Sequence, residues 1–245
     1  MPDITAAVRS DLASTGKVRA GINYGNFILA QKDKATGESR GVAVDLANEL
    51  GRRLGMPVEI VAFDSVAALG DAAPSNAWDI AFLGSDPQRE KIMSFTAAYI
   101  ELDATYLVSS SSNIKNASEA DRTGLRIAAP ARANYELYLQ RSLKHARLLS
   151  VANNDAALEL LATGQADALA GLTQGLVNMS GKLAGSRIVD GRFMAVQQSI
   201  AVPKGRDAGL AYLRGVVEEA KASGLVARAV EKTGAKGVTV APPAK

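Results

Sequence analysis

Cysteine is absent from this 245-residue chain, histidine occurs once, and aromatic residues amount to 5%. Without cysteine there is no disulfide, no thiolate nucleophile and no cysteine-ligated zinc. The lone histidine, His145 in "SLKHARLL", rules out a two-histidine metal site within one chain and reads as an exposed helical residue. No metal and no cofactor are expected. So few aromatics leave little for stacking on nucleic-acid bases. An excess of one charge is lacking too: 28 basic against 25 acidic residues give a net +3, and the basic residues are scattered. A nucleic-acid partner, whose affinity rests on a basic patch, is therefore not expected. No apolar run approaches the ~20 residues that cross a bilayer. The opening stretch "MPDITAAVRSDLASTG" has neither the basic start nor the apolar segment of a signal peptide. Ile4, Val8 and Leu12 instead repeat at helical spacing. Either a signal has been removed or the protein stays inside.

Common catalytic signatures are also missing. There is no GxGxxG after a strand, no HExxH and no GxSxG elbow. "GLTQG", Gly171 to Gly175, has the elbow's glycines around a threonine and reads as a strand-to-helix turn. "GLVNMSGKL" has the wrong glycine spacing for a phosphate loop and no Ser or Thr after Lys182.

What is present is alternation. "KVRAGI", "VEIVAF" and "WDIAFL" read as strands, the last two as continuous apolar runs buried on both faces. Between them "GVAVDLANELGRRLG" sets Ala43, Leu46, Ala47, Leu50 and Leu54 on one helical face, with Gly55 suited to the C-cap. The pattern resumes in "LRIAAP", "NYELYLQRSL", "RLLSVA", "NDAALELLATG" and "ADALAG". Strand–helix repetition at this spacing implies βαβ units and an α/β fold with parallel sheet. "ATYLVSSSSNIKN" and "FMAVQQSIAVPKG" break the pattern as extended crossovers. They divide the chain into a first lobe (1–103), a second lobe (104–198) and a return to the first (199–245). Leu213, Val216, Val217 and Ala220 share a face of the returning helix. Two-lobed α/β proteins bind ligands in the cleft and close by hinge motion.

Ligands of parallel sheets sit beyond the carboxyl ends of the strands. Four strand-to-helix corners qualify: "INYGNF", "FDS", "LGSDPQR" and "PARANY". In the third, Ser85 and Asp86 suit an N-cap and Pro87 a first turn. Arg89 then falls one turn into the helix, where its charge opposes the dipole. A structural ion pair with Asp64 or Asp79 is one reason for it; a bidentate carboxylate clamp is the other.

The ordered pieces "GVAVDLANELGRRLGMPVEIV", "WDIAFLGSDPQREKIMSFTAAY", "LRIAAPARANYELYL", "TGQADALAG" and "IAVPKG" resemble the solute-binding proteins of amino-acid ABC transporters, the extracellular solute-binding family three, from about Gly16 to Gly234. The resemblance implies a type II periplasmic-binding-protein fold of two lobes. It also implies a periplasmic monomer, with the cytoplasm as the alternative location, which delivers a small carboxylate ligand to a permease. It makes Arg89 the carboxylate clamp, helped by donors near Leu83, Gly84 and Ser85. Around it the resemblance places Asn23, Asn26, Asp64 and Ser65, and from the second lobe Asn134, Thr173, Gln174 and Arg132, the last either a second positive contact in the cleft or an outward-facing surface arginine. Departures are informative. Asn23 stands where an acid is common, Asn26 near a usual aromatic, and Ser65 where an aromatic platform often sits. Ala131, Arg132, Ala133 and Asn134 replace a Gly-Thr-Thr-like loop. Leu172 replaces the acid that takes a ligand's α-ammonium, which favours an organic acid over a standard amino acid. Two other readings follow from the same resemblance: a cyclohexadienyl-dehydratase-like enzyme, which needs a cleft acid, and a ligand sensor without a permease.

Overall fold

The computed structural model describes residues 3–33 and 35–244. By internal contacts the chain forms two compact units, Met1–Glu101 with Gln197–Lys245, and Leu102–Val196. In chain order the first unit contains α1 (Ala6–Leu12), β1 (Val18–Asn23), the hairpin β2 (Gln31–Lys32) and β3 (Ser39–Arg40), and α2 (Val42–Leu54). It continues with β4 (Val58–Phe63), α3 (Val66–Asp71), β5 (Ile80–Gly84) and the first part of β6 (Met93–Val108). The second unit has the rest of β6, then β7 (Arg126–Pro130), α4 (Asn134–Ser142), β8 (Arg147–Val151), α5 (Asn154–Ala162), β9 (Ala168–Leu172), α6 (Thr173–Ser180) and β10 (Arg187–Ile188). β11 (Met194–Pro203) leads back to α7 (Asp207–Ala222), α8 (Leu225–Thr233) and β12 (Val238–Val240) in the first unit.

In the first unit β4, β1 and β5 are parallel, and β11 runs antiparallel beside β5. In the second, β8, β7 and β9 are parallel and β6 is antiparallel to β9. The α/β expectation holds. The apolar runs are strands for different reasons, however. β5 is buried at every position, whereas β4 has only half-buried and exposed ones. β4 is the outermost strand, so one side has no neighbour and Glu59 and Ala62 face water. The expectation of burial on both faces is wrong for it.

The α2 stripe is as expected. Ala43, Leu46, Ala47, Leu50 and Leu54 are all buried, and Gly55 ends the helix at φ 64°. Each buried leucine there contributes about 1.5–3 kcal/mol by leaving water. The helix starts at Gly41, φ 140°, without a side-chain cap. Its first N–H groups donate instead to loop carbonyls, Val42 to Ile28 and Ala43 to Leu29. α1 forms on its apolar spacing, capped by Thr5, with Val8 and Leu12 buried. Leu213, Val216, Val217 and Ala220 of α7 are buried as the periodicity required. His145 is exposed but lies beyond the end of α4, where its N–H and those of Lys144 and Ala146 donate to Asp121.

Candidate functional site

Parallel strands bring the candidate residues of each unit to one sheet edge. In the first unit Asn23 ends β1 and pairs with Phe63, the last residue of β4, while Ile22 pairs with Phe82 of β5. The loops after these three strands therefore emerge side by side. The first two also touch: a Cβ on Gly25, after β1, would lie 3.0 Å from the Asp64 carbonyl, after β4, and from Asn23 Oδ1. Asn23 Oδ1 accepts from the Gly25 N–H at 2.8 Å, and Asn26 Oδ1 accepts from the Ile28 N–H at 3.2 Å. Both asparagines thus shape the loop after β1. Ser65 caps α3 through the Ala68 N–H, and Asp64 beside it is exposed.

Two of the four anticipated corners do not run into a helix. After β1 the chain makes turns and the β2–β3 hairpin before α2 begins. After β5 comes only a short 3-10 turn, Arg89–Lys91, and then β6. The helix-dipole argument for Arg89 therefore does not apply. Asp86 Oδ1 accepts the Gln88 N–H, and the Glu90 N–H reaches the Asp86 carbonyl, closing one turn. β6 starts straight after this turn, leaving no room for a helix.

Arg89 is 8% exposed, and its Nη1 donates to the Gly84 carbonyl at 2.7 Å. Its head is thereby fixed against the last residue of β5. The proposed ion pair with Asp79 is ruled out. Asp79, fully buried, accepts from Arg19 Nε and Nη2, the Arg19 N–H, and Arg206 Nη1 at 2.9–3.0 Å. Burial pushes the Asp79 carboxyl up, yet the guanidiniums of Arg19 and Arg206 outweigh it and hold it below the ordinary aspartate value. Ser85 is half-buried and its N–H donates to the Gln197 carbonyl at 3.1 Å, so this corner donor is engaged within the sheet. Leu83 packs with Leu69, Trp78 and Met93 in the core, which leaves only its main chain for a ligand.

In the second unit Arg132 and Asn134 follow β7, and Thr173 and Gln174 follow β9, its parallel neighbour. Thr173 Oγ1 donates to the Asp103 carbonyl, and Gln174 Nε2 to Asn178 one turn along α6. Leu172 stands at the N-cap of α6 with no side-chain cap. Arg132 is exposed and left-handed at φ 63°, and Asn134 is buried. A residue missed by the sequence reading holds this corner. Glu136 is 0% exposed; it accepts the Arg132 N–H at 2.9 Å, Gln140 Nε2 at 2.6 Å and Ser150 Oγ at 2.6 Å. An acid in a first helical turn reads from sequence as a dipole partner, and only tertiary packing reveals its burial. Among the described residues no three His, Cys, Asp or Glu side chains are grouped to hold a metal ion.

Residues 20–235 match the bacterial extracellular solute-binding proteins, family 3. The chain belongs to that family. Solved structures of similar fold include a mutant of ArgBP from T. maritima, 22% identical, covering 92% of this chain and 98% of its own with a TM-score of 0.74. Another is a putative binding component of an ABC transporter from Wolinella succinogenes complexed with lysine, 21% identical, covering 89% and 95%, TM-score 0.75. A third is an ancestral amino acid-binding protein described as a precursor of cyclohexadienyl dehydratase, 22% identical, covering 93% and 99%, TM-score 0.75. No curated relative matches the chain. The family match makes it a solute-binding protein, and the likenesses agree on a two-lobed fold.

Proposed function

We propose that this solute-binding protein captures a small carboxylate through Arg89 and delivers it to an ABC transporter permease from the periplasm, as a monomer. The observation that carries the reading is the burial of Arg89 at the carboxyl end of β5, its Nη1 set on the Gly84 carbonyl. Arginine's planar fork matches the two oxygens of a carboxylate, which makes a guanidinium at a strand end suited to such a ligand. Asn23, Asn26, Asp64 and Ser65 line the same sheet edge, and Arg132, Asn134, Thr173 and Gln174 the corresponding edge of the second unit. Leu172 supplies no acid at the start of α6, so a ligand ammonium there would lack a charged partner, at a cost of a few kcal/mol. Organic acids therefore fit better than standard amino acids.

Calorimetry on the wild type and Arg89→Ala with a panel of organic and amino acids tests this. Binding of an organic acid that falls about 100-fold or more in the variant is expected. Unchanged affinity, or micromolar binding of an ordinary α-amino acid, overturns it. The fold is shared with a precursor of a dehydratase, so an enzymatic reading has a specific basis. Its chemistry needs an acid near the ligand, and the acids at the candidate corners have other surroundings: Asp86 caps its own turn, Asp64 is exposed, and Glu136 accepts from Arg132, Gln140 and Ser150. Absence of prephenate or arogenate turnover is the expected result.

A further inference from the structure

β11 places one glutamine beside the Arg89 corner. Gln198 pairs directly with Gly84, the residue whose carbonyl receives Arg89, and the carbonyl of Gln197 receives the Ser85 N–H. The pleat puts Ser199 and Ala201 on the same side as Leu83 and Ala81, where the core cluster of Leu69 and Trp78 lies. Gln198 rises on the other side, that of Phe82, whose ring meets Tyr99 edge-on. The glutamine is 5% exposed, and its Oε1 has no hydrogen-bond donor among the described residues. A buried acceptor without a donor is costly, while an apolar side chain of the same shape in its place is nearly neutral or stabilising. Tyr99 Oη is buried and unpartnered as well, but it lies along β6, whereas Gln198 is in register with the last residue of β5.

We propose that Gln198 determines ligand specificity: its carboxamide oxygen accepts a hydrogen bond from a neutral donor, a hydroxyl or amide N–H, on the carboxylate ligand. This rests on the reading of Arg89 as the clamp. The chemistry matches what Leu172 leaves out. A neutral oxygen on the residue paired with Gly84 suits a neutral donor, where an ammonium calls for an acid. A site built to hydrogen-bond a ligand hydroxyl discriminates strongly against the analogue that lacks it, because the buried acceptor is then left unpaired.

The test compares binding of L-malate with succinate and L-lactate with propionate, by calorimetry, in the wild type and in Gln198→Met. Thermal unfolding of both ligand-free proteins is measured in parallel. The expected result is a preference of about 10-fold or more for the hydroxy acid of at least one pair in the wild type. Gln198→Met reduces that preference to within about two-fold, keeps the affinity for the deoxy acid, and melts at the same temperature or higher. A preference that survives Gln198→Met overturns the inference. So does a lower melting temperature, which marks a carboxamide satisfied by ordered water for stability alone. Binding of the carboxylates with no preference for the hydroxyl defeats the role of Gln198 and leaves the Arg89 clamp standing. Failure of every carboxylate to bind defeats both.

Discussion

Arg126 holds Asp167 by three nitrogens: its main-chain N–H and Nε reach Oδ2 at 2.8 and 3.0 Å, and Nη2 reaches Oδ1 at 3.0 Å. Arg19 holds Asp79 with the same three atoms, and in both pairs the aspartate N–H donates back to the arginine carbonyl at 2.8 Å. Each arginine lies at the start of a parallel strand, β1 or β7, and each aspartate immediately precedes another, β5 or β9. The clasps thus tie neighbouring strands at their amino ends, away from the edge that carries the candidate residues. They differ in burial: the Asp79 side chain is 0% exposed, that of Asp167 32%.

That difference predicts unequal costs. Asp79→Ala leaves two guanidiniums without their buried counter-charge and is expected to destabilise by about 3–5 kcal/mol. Asp167→Ala, at a site open to solvent, is expected to lose about 1 kcal/mol. Urea denaturation of the two variants measures both, and equal losses contradict the argument.

Acid should weaken the protein in a defined window. Arg52, then Arg53, hold the Glu49 carboxyl at about 2 against its ordinary 4.5. The Arg126 hydrogen bonds lower Asp167, and Asp79 is lowered despite its burial. A carboxyl depressed on folding contributes stability in full above its unfolded pKa, and this is lost as pH falls through the folded value. The urea midpoint should stay level from pH 7 to about 5 and decline from there toward about 2. A midpoint that rises on acidification runs against it.

Gly41 has no tolerable substitute. At φ 140° a side chain is already strained, and a Cβ would lie 2.4 Å from the Leu29 carbonyl oxygen, which accepts the Ala43 N–H. Gly41→Ala is expected to cost about 1–3 kcal/mol from the backbone conformation alone, with the clash in addition. Thermal unfolding checks it, each kcal/mol being worth about 2–4 °C at this size.

How far the sequence carries is clearest from particular elements. α2 and α7 were legible because a single apolar stripe decides their burial, and β5 because it is apolar throughout. β4 has the same kind of residues but lies at the edge, and strand order is a property of the whole chain. The turn at Arg89 was misread as a helix because Ser85, Asp86 and Pro87 suit a helix start as well as a tight turn. Arg89 itself was singled out by a helix-dipole argument that the turn removes, and by the family resemblance, which does not depend on it. Glu136 and Gln198 did not, since nothing local marks a polar side chain for burial.

The chain's course through the two units also sets how far apart in sequence its folding contacts lie. Leu102–Val196 is one uninterrupted stretch, whereas the first unit is closed by residues from both of its ends, β11 pairing with β5 and α7 packing against α1. Contacts of such wide separation require a long loop to close before they reward it, so the second unit should form first whenever the whole chain folds from an unfolded state.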